Sequence, residues 1–261
     1  MKQRTISAII LLAILISCLV INSYLFGLVI LLISILGFNE FFDIKYKDKK
    51  KELMIVRAFG IFSLILVCLN NTFYKIDMNI TILLPLLLLS LPIVFYNDNK
   101  LYSINDSLYV LGIVYFLGLS FGNIIFLRDT NIAKCIFIFI IAFITDTYAY
   151  IGGMLIGRHK LTSISPKKTV EGFIVGTIMG VIVGSVYYYN VVGGVSVFET
   201  IVLCFVLTCL SEIGDLMFSS IKRFFNKKDY SNLIPGHGGV LDRFDSVIYV
   251  SLGLSLILSI I

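Results

Sequence analysis

Apolar residues fill this chain in long runs, and short polar segments separate them. Crossing a bilayer as a helix takes roughly 20 apolar residues. By that measure the pattern predicts nine membrane helices, at 5–21, 24–42, 53–70, 80–96, 105–122, 132–154, 170–190, 197–220 and 244–261. The boundaries are soft, and the first two runs meet in a tight hairpin around Asn22 and Ser23. The expected fold is all-α, a polytopic integral membrane helix bundle.

Nine spans throw the connections alternately to two sides, and the cations divide with them. Lys2, Arg4, Lys45, Lys47, Lys49, Lys50, Lys51, Lys100, Arg158, Lys160, Lys167, Lys168, Lys222, Arg223, Lys227, Lys228 and Arg243 share the N-terminal side. Only Lys75, Arg128 and Lys134 fall on the other, with Arg57 just inside a span. The positive-inside rule then places the N-terminus and the first group in the cytoplasm of a multi-pass cell-membrane protein.

Composition sharpens this picture. Of 261 residues, 58% are hydrophobic and 14% charged, with a mean hydropathy of +0.98. A soluble domain of this length could not cover itself with so little polar surface. The net charge of +5 is accounted for by membrane sidedness, so nucleic acid is not an expected partner. Cys18, Cys68, Cys135, Cys204 and Cys209 all lie in apolar runs without metal-ligand spacing and read as packing residues. With only His159 and His237 present, a histidine-built metal site is not expected. Lys2, Arg4 and the box Leu15–Cys18 resemble a cleavable lipoprotein leader. A second apolar run begins within a few residues, which favours an uncleaved first helix.

One membrane domain, 1–261, is expected. Its N-terminal helices, 1–123, read as a scaffold without site chemistry, and Lys45–Lys51 as a solvated loop at anionic headgroups. Polar chemistry gathers in 131–261, with cytoplasmic loops at 155–169 and 221–243. Asp146 is a carboxylate inside an apolar run, and such residues are functional or paired because insertion at the bilayer centre costs about 2.5–3.5 kcal/mol. Gly152, Gly153 and Gly157 read as helix-packing positions. Ser165 is expected as a helix N-cap with Pro166 at the first helical position. That would set Lys167 and Lys168 at a helix N-terminus, where an anion bound between amides and lysines would relieve their repulsion.

Glu212, Asp215, Ser219 and Lys222 follow at spacings of three and four, one polar stripe on one helix. Such a stripe faces protein or an aqueous cavity, and its carboxylates point to a metal site over a purely structural role. Gly214 leaves room beside Asp215 for a backbone or a ligand. Beyond it, Lys222, Arg223, Lys227 and Lys228 precede the turn Pro235–Gly239, then Asp242, Arg243 and Asp245. Cations, glycine amides and carboxylates together suit a phosphate–metal site. His237 reads as a binding or structural group.

The run Ser-x-Ile-Lys-Arg-x4-Lys-Asp-x-Ser-x2-Ile-Pro-Gly-His-Gly-Gly-x-Leu-Asp-Arg-Phe-Asp, from Ser219 to Asp245, resembles the signature of phosphatidate cytidylyltransferases, also called CDP-diacylglycerol synthases. Ser165–Gly172 and the segment around Asp146 resemble that family's other marked stretches. The likeness covers about the last half of the chain. It implies transfer of CMP from CTP to phosphatidate, giving CDP-diacylglycerol and pyrophosphate in phospholipid biosynthesis. It also implies Mg²⁺, with room for a second, monovalent or divalent cation, membrane lipid as surroundings, and a homodimer. Asp215 and Asp242 would hold the metal centre, with Asp146 and Asp245 as further candidates, and Lys222 and Arg223 would join them in catalysis. Ser165, Lys167, Lys168, Ser219, Lys228, His237, Gly238, Gly239 and Arg243 would bind substrate. A CTP-dependent lipid kinase shares parts of this pattern. A cation-coupled transporter using Asp146, Glu212 and Asp215 fits less well, because the polar residues crowd into one half of the chain.

Overall fold

A computed structural model describes residues 13, 15–70, 76–233 and 238–260. Among these, helices account for every regular element apart from isolated bridge residues in loops, Lys160 with Thr169 among them. In chain order they are α1 (Ser23–Lys45), α2 (Met54–Leu69), α3 (Met78–Tyr96), α4 (Ile104–Thr130), α5 (Ile132–Ile156), α6 (Val170–Tyr187), α7 (Val197–Phe224) and α8 (Leu241–Ile260). Residues 15–21 are also helical, and one extended residue, Asn22, separates them from α1 while its side chain caps Tyr24 N.

Seven of these helices, all but α2, are long and apolar enough to cross a membrane. At 16 residues α2 is shorter than a full span, and the first predicted run lies mostly outside the described residues. α4 continues well past the predicted end at 122. Ile124–Leu127 supply four more apolar residues, and nothing breaks the helix before Asn131, which caps α5 through Ala133 N and Lys134 N. All five cysteines are free, four of them buried, in keeping with a packing role.

Contacts group the chain into two compact units: Met1–Asp129 with Tyr230–Leu241, and Thr130–Asp229 with Asp242–Ile261. In the first unit, glycines seat neighbouring helices. Gly60 of α2 lies under the Phe38 ring, and Gly122 of α4 leaves only 2.9 Å between an added Cβ and the carbonyl of Cys68. Two prolines interrupt α3. Pro85 has no N–H for the carbonyl four residues back, Thr81, and the Tyr115 hydroxyl donates there and to Ile82 O. Near Pro92 the Leu89 carbonyl accepts from Tyr102 and Ser107.

The second unit is built on a glycine ladder. Gly172, Gly176, Gly180 and Gly184 recur every four residues along α6, so they share one face. An added Cβ at Gly172 would come within 2.6 Å of Ala149 O, and at Gly176 within 2.8 Å of Thr145 O. At Gly180 it would meet Thr145 and Thr208 at 2.5 Å. Here α5 and α6 touch at backbone distance and Thr208 and Cys204 of α7 pack against the same face, as small-residue stripes permit in a membrane. Gly152 likewise faces Val175, which is the packing role expected of it. A π-turn, Tyr188–Val192, ends α6. Ser196 and Glu199 start α7 with a reciprocal capping box.

Candidate active site

The loop before α6 sets the first cations. Ser165 is not the N-cap expected; Thr169 is, accepting from Gly172 N at 3.1 Å. Pro166 instead occupies a turn closed by Lys168 N donating to Ser165 O, a position that suits its fixed φ as well as a helix start would. Thr169 is extended, with Leu161 N donating to Lys168 O, Val170 N to His159 O, and a bridge from Lys160 to Thr169. Glu171 closes this small hairpin by accepting from Arg158 N, His159 N and His159 Nδ1. Lys167 and Lys168 therefore precede the helix, and the dipole argument for an anion there does not apply.

Lys168 reaches α7 instead. Its Nζ lies 2.6 Å from Glu212 Oε2 and 2.9 Å from Asp215 Oδ2. Burial works to lower the pKa of this lysine, but the charges of Asp215 and Glu212 and their hydrogen bonds outweigh it, holding the ammonium well above the usual lysine range. One turn on, Ser219 Oγ donates to Asp215 Oδ1 at 3.4 Å. A further turn brings Lys222 Nζ to 2.6 Å from Asp242 Oδ1, with both side chains nearly buried. The polar stripe read from the spacing is thus a ladder of charge pairs along α7.

The first turns of α8 and the middle of α5 complete the site. Asp245 Oδ1 accepts from Ser246 N, and Ser246 Oγ donates to Asp146 Oδ1 at 3.1 Å. Gly214 permits the approach: an added Cβ would stand 3.0 Å from Asp245 O and 2.9 Å from Tyr249 Cβ. The room beside Asp215 is therefore taken by the α8 backbone.

These groups line a cavity of about 630 Å³ within the second unit, a size that suits a small-molecule ligand. Asp146, Glu212, Asp215, Asp229, Asp242 and Asp245 face Lys167, Lys168, Lys222 and Arg243 across it, and Ser165 also contributes. Carboxylates outnumber cations by two. Glu212 is 1% exposed, and its Oε1 is buried without a hydrogen-bond partner. Among the described residues no group of three histidine, cysteine or acidic side chains is arranged to hold a metal ion alone.

Other predicted site residues lie outside the cavity lining. Arg223 is exposed and donates to Lys227 O, and Lys228 is exposed. His237, with Pro235 and Gly236, lies outside the described residues. Gly238 takes a positive φ of 81°, and Gly239 packs on a carboxylate the sequence reading passed over, Glu40 of α1, 2.5 Å from an added Cβ. One signal could have found Glu40. It is a lone carboxylate in an apolar run, the feature that drew attention to Asp146.

Comparison with known proteins covers the whole chain. A sequence profile of the cytidylyltransferase family matches residues 2–261. The phosphatidate cytidylyltransferase of Staphylococcus haemolyticus is 32% identical over 255 residues, 96% of each chain. Those of Staphylococcus saprophyticus and Staphylococcus aureus are 31% and 29% identical, again over 96% of both chains. The match extends through the N-terminal helices as well as the acidic cavity, and the chain belongs to the cytidylyltransferase family.

Proposed function

We propose that this protein is a phosphatidate cytidylyltransferase, joining CTP and phosphatidate to give CDP-diacylglycerol and pyrophosphate. One observation carries the reading: carboxylates from α5, α7 and α8 and lysines from the α6 loop and α7 line one cavity among membrane-length helices. The names of the relatives supply the substrates.

The chemistry needs little from the protein beyond placement and charge. A phosphate monoester has already lost most of its protons near neutral pH, its second pKa being about 6. Its oxygen can therefore attack the α-phosphorus of CTP without a general base. The bond from that phosphorus to the β-bridging oxygen breaks, and pyrophosphate leaves with the electron pair. Positioning and charge neutralisation supply the rate. Lys167, Lys168, Lys222 and Arg243 are the groups available to face the phosphates, and the ladder on α7 holds two of them in place.

The cavity also suits Mg²⁺. All its anionic donors are carboxylate oxygens, they exceed the local cations, and Glu212 Oε1 is left without a partner. Magnesium is usually held by one or two carboxylates together with substrate phosphates, so a cage of three protein ligands is not needed. Asp215 and Asp242 would hold it, with Asp146 and Asp245 adjoining. When bound, such an ion draws charge from the phosphate oxygens and makes pyrophosphate a better leaving group.

The clustering of cations on alternate connections supports a cytoplasmic N-terminus and a cavity opening to the cytoplasm. Purified protein given CTP, phosphatidate and Mg²⁺ is expected to release pyrophosphate and form a CDP-lipid. Release of CDP instead would identify a lipid kinase and overturn the proposal.

A further inference from the structure

In the first unit, one face of α1 grips the described residues on both sides of 234–237, the glycine-rich stretch of the sequence. Glu40 is 5% exposed. Its Oε1 accepts from Ser231 Oγ at 2.6 Å and Val240 N at 2.8 Å, and its Oε2 accepts from Leu241 N at 2.9 Å. Gly37, one turn earlier on the same face, lets the Leu241 side chain lie against α1. Phe41 meets the Tyr230 ring edge-on at 5.2 Å.

This grip costs free energy to build, which argues against an incidental contact. A carboxylate in an apolar helix must be compensated by donors, and charge-assisted bonds of these lengths are the strong kind. The donors also explain the choice of partner. Val240, immediately ahead of α8, has no side-chain oxygen to cap the helix, so its first amides would stand open. Glu40, two hundred residues away, takes the place of a local cap and places negative charge where the helix dipole favours it. The residue after Leu241 is Asp242.

We infer that Glu40 is a positioning residue for the transfer reaction: its carboxylate fixes Ser231, Val240 and Leu241, and through them the start of the helix that carries Asp242 and Asp245. It touches no reacting atom. The functional half of the inference rests on the cytidylyltransferase reading of the cavity.

Full-length protein in detergent is compared with Glu40→Gln, which keeps the shape but replaces one acceptor by a donor. Turnover of CTP and phosphatidate is expected to fall at least about tenfold, with the KM for CTP changed less than about threefold, the pattern of a lost placement rather than a lost nucleotide contact. Hydrogen exchange in peptides covering 231–241 is expected to quicken while α5–α7 keep their protection. Gly239→Ala supplies a second arm, because its new methyl would collide with the Glu40 carboxylate. Alone it should slow turnover, but added to Glu40→Ala it should cost little more, since the colliding group is gone. Unchanged turnover in Glu40→Gln, unchanged exchange at 231–241, or additive effects of the two alanines would each overturn the inference. A wild-type protein that forms no CDP-lipid would instead refute the proposed reaction, and the exchange measurement would still decide whether Glu40 holds Ser231, Val240 and Leu241.

Discussion

Two sets of carboxylates, buried or half-buried, stand in the apolar helices of this protein, and they are satisfied differently. Glu40 is met by two backbone amides and a serine hydroxyl, which are fixed groups of the fold. Glu212, Asp215 and Asp242 are met by the ammonium groups of Lys168 and Lys222, on long side chains at the wall of a cavity. Amide donors have no other task once a helix start is formed. Lysines can exchange a carboxylate for an incoming phosphate. The partner, more than the burial, separates a structural charge from one available for chemistry.

The largest expected effect tests the cavity side of this contrast. Asp215→Asn and Asp242→Asn should each lower CDP-lipid formation by on the order of 10³ or more, the scale of losing a key electrostatic group. They should differ in stability. Asp215→Asn leaves Lys168 its bond to Glu212, so the thermal midpoint should hold. Asp242→Asn gives the nearly buried Lys222 a neutral partner in place of a charged one, and should cost up to about 3 kcal/mol. Near-normal turnover in either variant would remove that residue from the site.

Next in size, Lys168→Met should reduce turnover by roughly 10² by removing a cation from the phosphate region. Its ammonium pKa is raised, so the contribution of its ion pairs to stability is full below the unfolded lysine value of about 10.4 and is lost as pH rises from there through the folded value. The pH–rate profile should therefore carry no Lys168 limb below about pH 10. An alkaline limb that Lys168→Arg removes would contradict the pairing.

The smallest effects set one hydroxyl against the other. Ser231→Ala removes a 2.6 Å bond to Glu40 and should cost about 1.5 kcal/mol of stability. Ser219→Ala removes a 3.4 Å contact to Asp215 and should hardly move the melting curve, while turnover falls roughly fivefold, equivalent to about 1 kcal/mol. The reverse ranking in stability would erase the distinction between the two kinds of carboxylate.

Much of this was legible in the chain, for physical reasons. Long apolar runs admit one solution in a bilayer, so the helices fall where hydropathy puts them. The spacing of Glu212, Asp215, Ser219 and Lys222 is fixed by helical geometry, so their common face followed directly. Pro166 was ambiguous because one φ serves both a turn and a helix start, and Thr169 rather than Ser165 took the cap. Glu40 stayed hidden because its partners lie about two hundred residues on and two of them are backbone amides, which carry no residue-type signal. The pairing of Lys222 with Asp242 also joins separate helices, and spacing along one helix does not reveal it.

The four-residue glycine repeat of α6 has a mechanical consequence. Where Gly172 and Gly176 meet the carbonyls of Ala149 and Thr145, peptide groups of α5 and α6 are in direct contact, with little between them to absorb a displacement. The two helices must travel as one plank, carrying Asp146 at its middle and the Lys167–Lys168 turn at its end. Any breathing of the cavity to admit a nucleotide or discharge its product therefore falls to the α7 and α8 walls.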